Sequence, residues 1–242
     1  MSFKERAKAV IEEITADADW IREPIVGFAD TKSPKIRSLK TSVSENHLLP
    51  EEVLPQATII LSYFLPFTKD AGECNREGTE PSKQWADLYN ATNALIAEIN
   101  TALAAELRNA GIPAEIPAGG FDTDSLMSRW SQRHIAEAAG LGTFGRNNML
   151  ITRAGSMGRF GSVITALREP ADSPVTEELC LGKAGKNCTA CIDRCPTGAL
   201  KTDGFDRKAC YAVCLKAEKE LGADVCGKCT VAVPCAVKEN NR

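Results

Sequence analysis

Apolar positions along the chain change period several times, and each change marks an element. Phe3, Ala7, Val10, Ile11 and Ile14 fall on one helical stripe. Ser2 and Glu5 fit a capping box that satisfies the first free amides. "IVGFAD" (25–30) and "ATIILSYF" (57–64) are short apolar runs of the length of buried strands. Pro34, Pro50 and Pro55 argue for short turns between them. Leu88, Leu95, Ile99, Leu103 and Leu107 mark a long amphipathic helix from Trp85 to Arg108, which Gly111 and Pro113 stop. "AEI" (114–116) starts a third strand, and "SRWSQRHIAEAA" (128–139) is a helix opened by Ser128 and closed by Gly140. "NMLIT" and "FGSVITAL", joined by "RAGSMGR", predict a β-hairpin with a glycine-rich connection. Strands alternating with helices give an α/β or α+β first domain.

Composition adds less until the cysteines are counted. Apolar content of 43% and charged content of 25% are those of an ordinary globule. A net charge of −3 favours neither nucleic acid nor an anionic membrane, and 6% aromatic residues leave little for base stacking. Charges occupy the N-terminus where a signal peptide would be apolar, and no run approaches the roughly 20 apolar residues of a membrane span. The expectation is a cytoplasmic protein. In a reducing compartment ten cysteines are metal ligands, catalytic thiols or core residues before they are disulfides. Cys74 stands alone, and the other nine fall between Cys180 and Cys235. That asymmetry divides the chain at about residue 170, into a 1–170 cofactor or substrate domain and a 171–242 cysteine domain. Polar "REPADSPVTEE" (168–178) is the expected linker.

The cysteines read Cys180-x7-Cys188-x2-Cys191-x3-Cys195-Pro196, then Cys210 and Cys214, then Cys226-x2-Cys229-x5-Cys235. A bacterial two-cluster ferredoxin has C-x2-C-x2-C-x3-C-P twice, with the fourth cysteine of each run ligating the other cluster. "CIDRCPTGAL" matches the second half of such a run, while the front spacing and the last run depart from it. Crossing assigns Cys180, Cys188, Cys191 and Cys235 to one [4Fe–4S] cluster and Cys195, Cys210, Cys226 and Cys229 to a second. Cys74 and Cys214 remain over, and Cys214 could replace Cys210. Zinc held by the two CxxC pairs is the rival reading. It needs an interval longer than the usual ribbon spacing of about 15–20 residues and leaves five nearby cysteines idle.

The glycine-rich stretch 138–165 is a poor dinucleotide signal, because Gly140-x-Gly142-x-x-Gly145 follows a helix rather than a strand. Its Arg146-Asn147-Asn148 group beside exposed backbone suits close approach to a large flat or anionic ligand. "RHIAEAAGLGTFGRNNMLIT", "GRFGSVIT" and the paired cysteine runs together resemble the epoxyqueuosine reductase family, itself related to corrinoid reductive dehalogenases. "VGFAD" and "ATIILSYFLPF" resemble the family's first strands. The resemblance implies an α+β architecture: a nitroreductase-like α/β domain with a C-terminal ferredoxin-like domain. It also implies two [4Fe–4S] clusters and a base-off cobalamin that reduces the substrate with low-potential electrons from the clusters. Gly142, Arg146, Asn147, Asn148 and Ser156 fall in stretches that face the corrinoid in the family. Asp124-Ser125 matches the family's proton-donating aspartate in type, with Asp122 a rival because the interval to Arg133 is two residues longer.

Epoxyqueuosine reductases carry a tRNA-recognising extension that finds no counterpart here, and the chain is acidic overall. A small-molecule substrate is therefore expected over tRNA, with a low-potential donor of the ferredoxin or flavodoxin type. Two further readings stay open: an electron-transfer protein with no chemistry of its own, and a flavin site, since nitroreductase-like folds often bind FMN.

Overall fold

The computed structural model describes residues 2–238; the last four residues assigned to the cysteine domain lie outside that span. Helix α1 (Phe3–Ile14) begins with the capping box of Ser2 and Glu5 and buries Phe3, Ala7 and Ile11. Strand β1 (Ile25–Asp30) follows, then three single-turn helices, α2 (Pro34–Arg37), α3 (Leu39–Ser42) and α4 (Pro50–Val53). Strand β2 (Ile59–Pro66) is buried at every position. After α5 (Lys69–Glu73) comes the 27-residue α6 (Lys83–Asn109), about 40 Å long. Its N-cap is Ser82, whose side chain accepts from the Trp85 amide.

The rest is shorter. Strand β3 (Ala114–Glu115) precedes a small β4–β5 hairpin (Phe121–Asp122 and Met127–Ser128). Helix α7 (Gln132–Ala138), β6 (Gly142–Phe144), β7 (Leu150–Thr152) and β8 (Gly158–Thr165) complete the first half. The cysteine segment holds α8 (Ala190–Asp193), α9 (Arg207–Leu221) and a 3-10 turn at Lys228–Thr230.

A four-stranded antiparallel sheet in the order β1-β2-β8-β3 forms the middle layer of a mixed α/β fold. Alternation along β2 sends Leu61, Tyr63 and Leu65 to one face, where they meet Ile11 of α1 and Ile99, Leu103 and Leu107 of α6. Ile60 and Phe64 face the other way, against Ile36, Leu39, Trp130 and Ile135. Helices on both faces explain why β2 is apolar throughout instead of alternating.

The expected hairpin between "NMLIT" and "FGSVITAL" does not form. β7 pairs with β6, and β8 joins the main sheet beside β2. The cause lies about 80 residues away. The amides of Ser156 and Met157 donate to carbonyls of Cys235 and Ala236, and the Lys238 amide donates to Ala154. Local pairing stops at the single Thr152–Gly155 bridge, and the amides beyond it are held by the end of the cysteine segment. Gly155, at φ +110°, lies so close to that segment that a Cβ would come within 2.4 Å of the Ala236 carbonyl oxygen. Helix α7 also starts later than expected, with Ser131 rather than Ser128 at its N-cap.

The 168–178 stretch has no regular structure but is tied down. The Asp172 carboxylate accepts from the Phe28 amide at 2.7 Å and from Lys4 Nζ at 2.6 Å. The cysteine segment and the first half share a core in which Trp85, Phe67 and Met157 pack with Ala223, Val225 and Val231. Among the described residues, no helix is long and apolar enough to cross a membrane.

Gly27 of β1 lies under the end of α7, where a Cβ would stand 2.3 Å from the Ala139 carbonyl oxygen. Gly27→Ala should cost about 3 kcal/mol and lower the thermal midpoint by about 6–12 °C. Gly204→Ala, with nothing within 4 Å, should leave the midpoint unchanged. Anaerobic thermal melts followed by circular dichroism check both.

Candidate metal centre

Four cysteines converge on a recess of about 350 Å³, counting its open mouth. Cys180, Cys188, Cys191 and Cys235 line it, together with Arg146 and Asn147. Cys180 is fixed by its backbone N–H, which donates to Glu178 Oε1, and by the Leu179 N–H, which donates to Thr143 Oγ1. A loop turned at Gly185 (φ +82°) brings the chain to Cys188, and α8 presents Cys191. Cys235 is drawn in by Ser156, whose amide and hydroxyl donate to its carbonyl at 2.8 and 3.0 Å. The Ser156 hydroxyl also lies 3.8 Å from Cys235 Sγ.

The electrostatics show the crowding. Burial pushes the Cys191 thiol up to about 11, and Cys235, Cys180 and Cys188 each add to the rise. Burial raises Cys235 as well, with Cys180 and Cys188 contributing. A thiol so placed releases its proton to solvent only when a bound cation compensates the resulting charge.

A second group forms beside it. Burial raises Cys229 far above the ordinary thiol range, with Cys226, Cys210, Cys191 and Cys195 adding to the effect. Cys210, raised first by burial, feels Cys226 and Cys195. Burial also raises Cys226, which feels Cys195. Cys195 differs: although burial opposes it, the amides of Leu200, Thr197 and Ala199 hold its thiol below the usual value. Cys214, pushed up to about 12 by burial and by Cys210 and Cys226, stands next to this group. Cys74 is a loop thiol that donates to the Ala71 carbonyl.

Among the described residues, no three His, Cys, Asp or Glu side chains converge as they would on a single ion. The first four cysteines are ranged around a volume, which suits a multi-iron core bound by thiolates. Beside the second group the buried indole N–H of Trp85 lies against Gly227, the neighbour of Cys226, and has no hydrogen-bond partner. A sulfur-rich group held by Cys226 would offer it an acceptor.

The glycine-rich segment straddles both groups. Arg146 Nη1 donates to the Cys188 carbonyl at 3.4 Å, and Asn147 Nδ2 donates to the Cys229 carbonyl at 3.0 Å. Asn147 is buried and Ser156 almost wholly so. Asn148 is exposed at φ +56°, and its carbonyl accepts from Arg133 at 2.7 Å. Gly142 is a strand position where a Cβ would meet the Ile151 carbonyl oxygen at 2.1 Å. Asp124 lies in the exposed turn of the β4–β5 hairpin, which reaches α9 through the Phe121–Tyr211 ring contact at 5.1 Å. Asp122 Oδ1 accepts from the amides of Asp124 and Ser125, and these bonds, led by Ser125, hold its carboxyl below the usual range.

Two cations went unread in the sequence. Lys228 is 1% exposed between Cys226 and Cys229, and its Nζ donates to the Asn75 and Glu77 carbonyls. Arg133, next to Cys210 and Cys229 in charge interaction, is held below the usual range by burial and by Arg207. The only signal for Lys228 was its place inside a CxxC pair.

A mixed α/β fold joined to a cysteine-rich segment is the class of protein these features define. Its known counterparts are the epoxyqueuosine reductases, to which the chain is similar in sequence and in fold. The Bacillus cereus epoxyqueuosine reductase is 44% identical over 84 residues, which cover 34% of this chain and 20% of that enzyme. The Aliivibrio fischeri enzyme is 28% identical over 167 residues, 67% of this chain and 42% of the relative. A crystal structure of selenomethionine-labelled epoxyqueuosine reductase superposes with a TM-score of 0.60 at 20% identity, covering 97% of this chain and 66% of that one. Another, holding an epoxyqueuosine-modified tRNA-Tyr stem loop, matches with the same score and coverage at 21% identity. No family model matches the chain. The matched stretches thus span between a fifth and two thirds of these relatives.

His134 hydrogen-bonds Ser131 and packs against Phe144. Burial first, then the Arg133 charge, pushes its imidazole down to about 4. The unfolded chain binds this proton near 6.5, so stability is full above 6.5 and falls as pH drops towards 4. Between pH 7.5 and 5.5 the thermal midpoint of the wild type should fall more than that of His134→Gln. Parallel pH profiles would remove the assignment.

Proposed function

We propose that the chain is an iron–sulfur reductase of the epoxyqueuosine reductase type. Cys180, Cys188, Cys191 and Cys235 hold one [4Fe–4S] cluster, and Cys195, Cys210, Cys226 and Cys229 hold a second. A base-off cobalamin lies beside them. Residues 1–170 form the nitroreductase-like domain and 171–242 the ferredoxin-like domain. The observation that carries this reading is the crossing itself: Cys195, four residues after Cys191, keeps company with Cys226 and Cys229 instead.

When bound, the clusters supply single low-potential electrons and the corrinoid the reductive chemistry on the substrate. The chain's own residues do the rest. Arg146 and Asn147 hold the loops of the two quartets in register. Ser156 fixes the backbone of Cys235. The Asp122 carboxylate is engaged by the turn amides, and so Asp124, whose carboxylate has no hydrogen bond or ion pair among the described residues, is the one assigned to deliver a proton. The substrate is a small molecule, because a chain of net charge −3 offers little to a nucleic-acid backbone.

Anaerobic reconstitution should give about eight iron atoms and eight sulfides per chain, with cluster EPR on reduction. Cobalamin should then bind near 1:1 in a visible titration, at least about tenfold more weakly in Arg146→Ala or Asn148→Ala. Zinc without iron would end the cluster reading. Intact clusters with no corrinoid binding would leave a ferredoxin-like electron-transfer protein. With epoxyqueuosine as a probe substrate, Asp124→Asn should lower turnover by about 100-fold or more at unchanged iron content.

A further inference from the structure

We infer that Lys228 is a built-in counter-cation of the second quartet: its buried charge favours the reduced form of the cluster held there and so raises that cluster's reduction potential. The inference rests on the two-cluster reading and deepens it.

Lysine is among the residues least often buried outright, because its ammonium gives up hydration that a paired charge must replace. Lys228 is nevertheless 1% exposed. Its Nζ donates to two backbone carbonyls, that of Asn75 at 3.0 Å and that of Glu77 at 2.6 Å. Both acceptors are neutral, and among the described residues no carboxylate pairs with this ammonium. Its polar neighbour is another cation: Arg194 Nε donates to the Lys228 carbonyl, and Arg194 Nη2 to that of Arg76. A positive charge is thus enclosed with no negative partner.

Its position supplies the missing charge. Lys228 opens the 3-10 turn that carries Cys229, and Cys226 stands two residues before it. An iron–sulfur core bound by four thiolates is a net anion, and an added electron makes it more so. A fixed cation beside it, little screened by solvent, stabilises the reduced form more than the oxidised one. The first quartet has a weaker counterpart, because Arg146 at its recess is only half-buried.

The plainer role for Lys228 is a latch on the loop of residues 75–82. That loop is already fastened without it. Asn75 Nδ2 donates to the Cys226 carbonyl at 2.8 Å, and the Ser82 amide donates to Asn75 Oδ1. A latch needs hydrogen-bond donors but no charge, and a neutral side chain would avoid the desolvation of a buried ion. Removing the charge while keeping donors therefore separates the two roles.

The test is an anaerobic redox titration of the reconstituted full chain with dithionite, followed by EPR. One electron enters each cluster, and no bond forms or breaks. Cys226→Ala, which should keep only the first cluster, assigns the signals. Lys228→Met, and Lys228→Gln with its amide donors, should each lower the reduced-to-oxidised ratio of the second cluster about tenfold or more at a fixed potential, which is 59 mV for a one-electron couple. The first cluster should move less than about twofold. Asn75→Ala, which loosens the same loop without changing charge, should lower the thermal midpoint and leave both ratios within about twofold. The inference is overturned if both Lys228 variants leave the second cluster's ratio unchanged, or if both clusters shift alike. It is also overturned if Asn75→Ala shifts the second cluster as far, or if both Lys228 variants lose that cluster, since either result makes Lys228 a latch. A wild type with a single cluster, or with zinc and no iron, would instead defeat the two-cluster reading beneath it.

Discussion

Confining four thiols in one recess is costly, because each must lose a proton to bind metal and each resulting charge repels the others. Burial already raises Cys191, and its three companions raise it further. Such a group persists only if the backbone around it is held by something other than the sulfurs. Here the holding is done by ordinary hydrogen bonds from the α/β domain. Residues 154–157 grip the segment around Cys235, and Arg146 and Asn147 grip the Cys188 and Cys229 loops. The connections on either side of β7 anchor the backbone of both thiol groups.

That dependence explains the organisation of the fold. Helix α6 packs its C-terminal half on the sheet and its N-terminal end on the cysteine segment, so one element spans both. The 168–178 stretch, expected as a loose linker, is instead fastened to β1 and α1 through Asp172. A buried Lys228 and a largely enclosed Arg133 stand beside the second group, where positive charge offsets the thiolates. The β4–β5 hairpin touches α9 through Phe121 and Tyr211.

What could be read from sequence was what depends on near neighbours. The Ser2–Glu5 cap, β1, β2 and the long α6 follow from local spacing, and the structure contains each. The pairing of β7 could not be read that way, because the amides that follow it are taken by Cys235 and Ala236. Periodicity carries no information about a partner so distant. Charged residues misled for a similar reason: Lys228 looks solvated in a linear pattern, and only the carbonyls of Asn75 and Glu77 make its burial tolerable. The choice between Asp122 and Asp124 also needed the turn geometry.

The central claim is that the cysteines act as two crossed quartets. Its most direct measurement is an anomalous difference map at the iron edge from crystals of the anaerobically reconstituted chain. The account predicts two iron-rich peaks. One is bound by Cys180, Cys188, Cys191 and Cys235, and the other by Cys195, Cys226, Cys229 and a cysteine of α9. A single peak, or one peak shared by Cys188, Cys191 and Cys195 in sequence order, would contradict it.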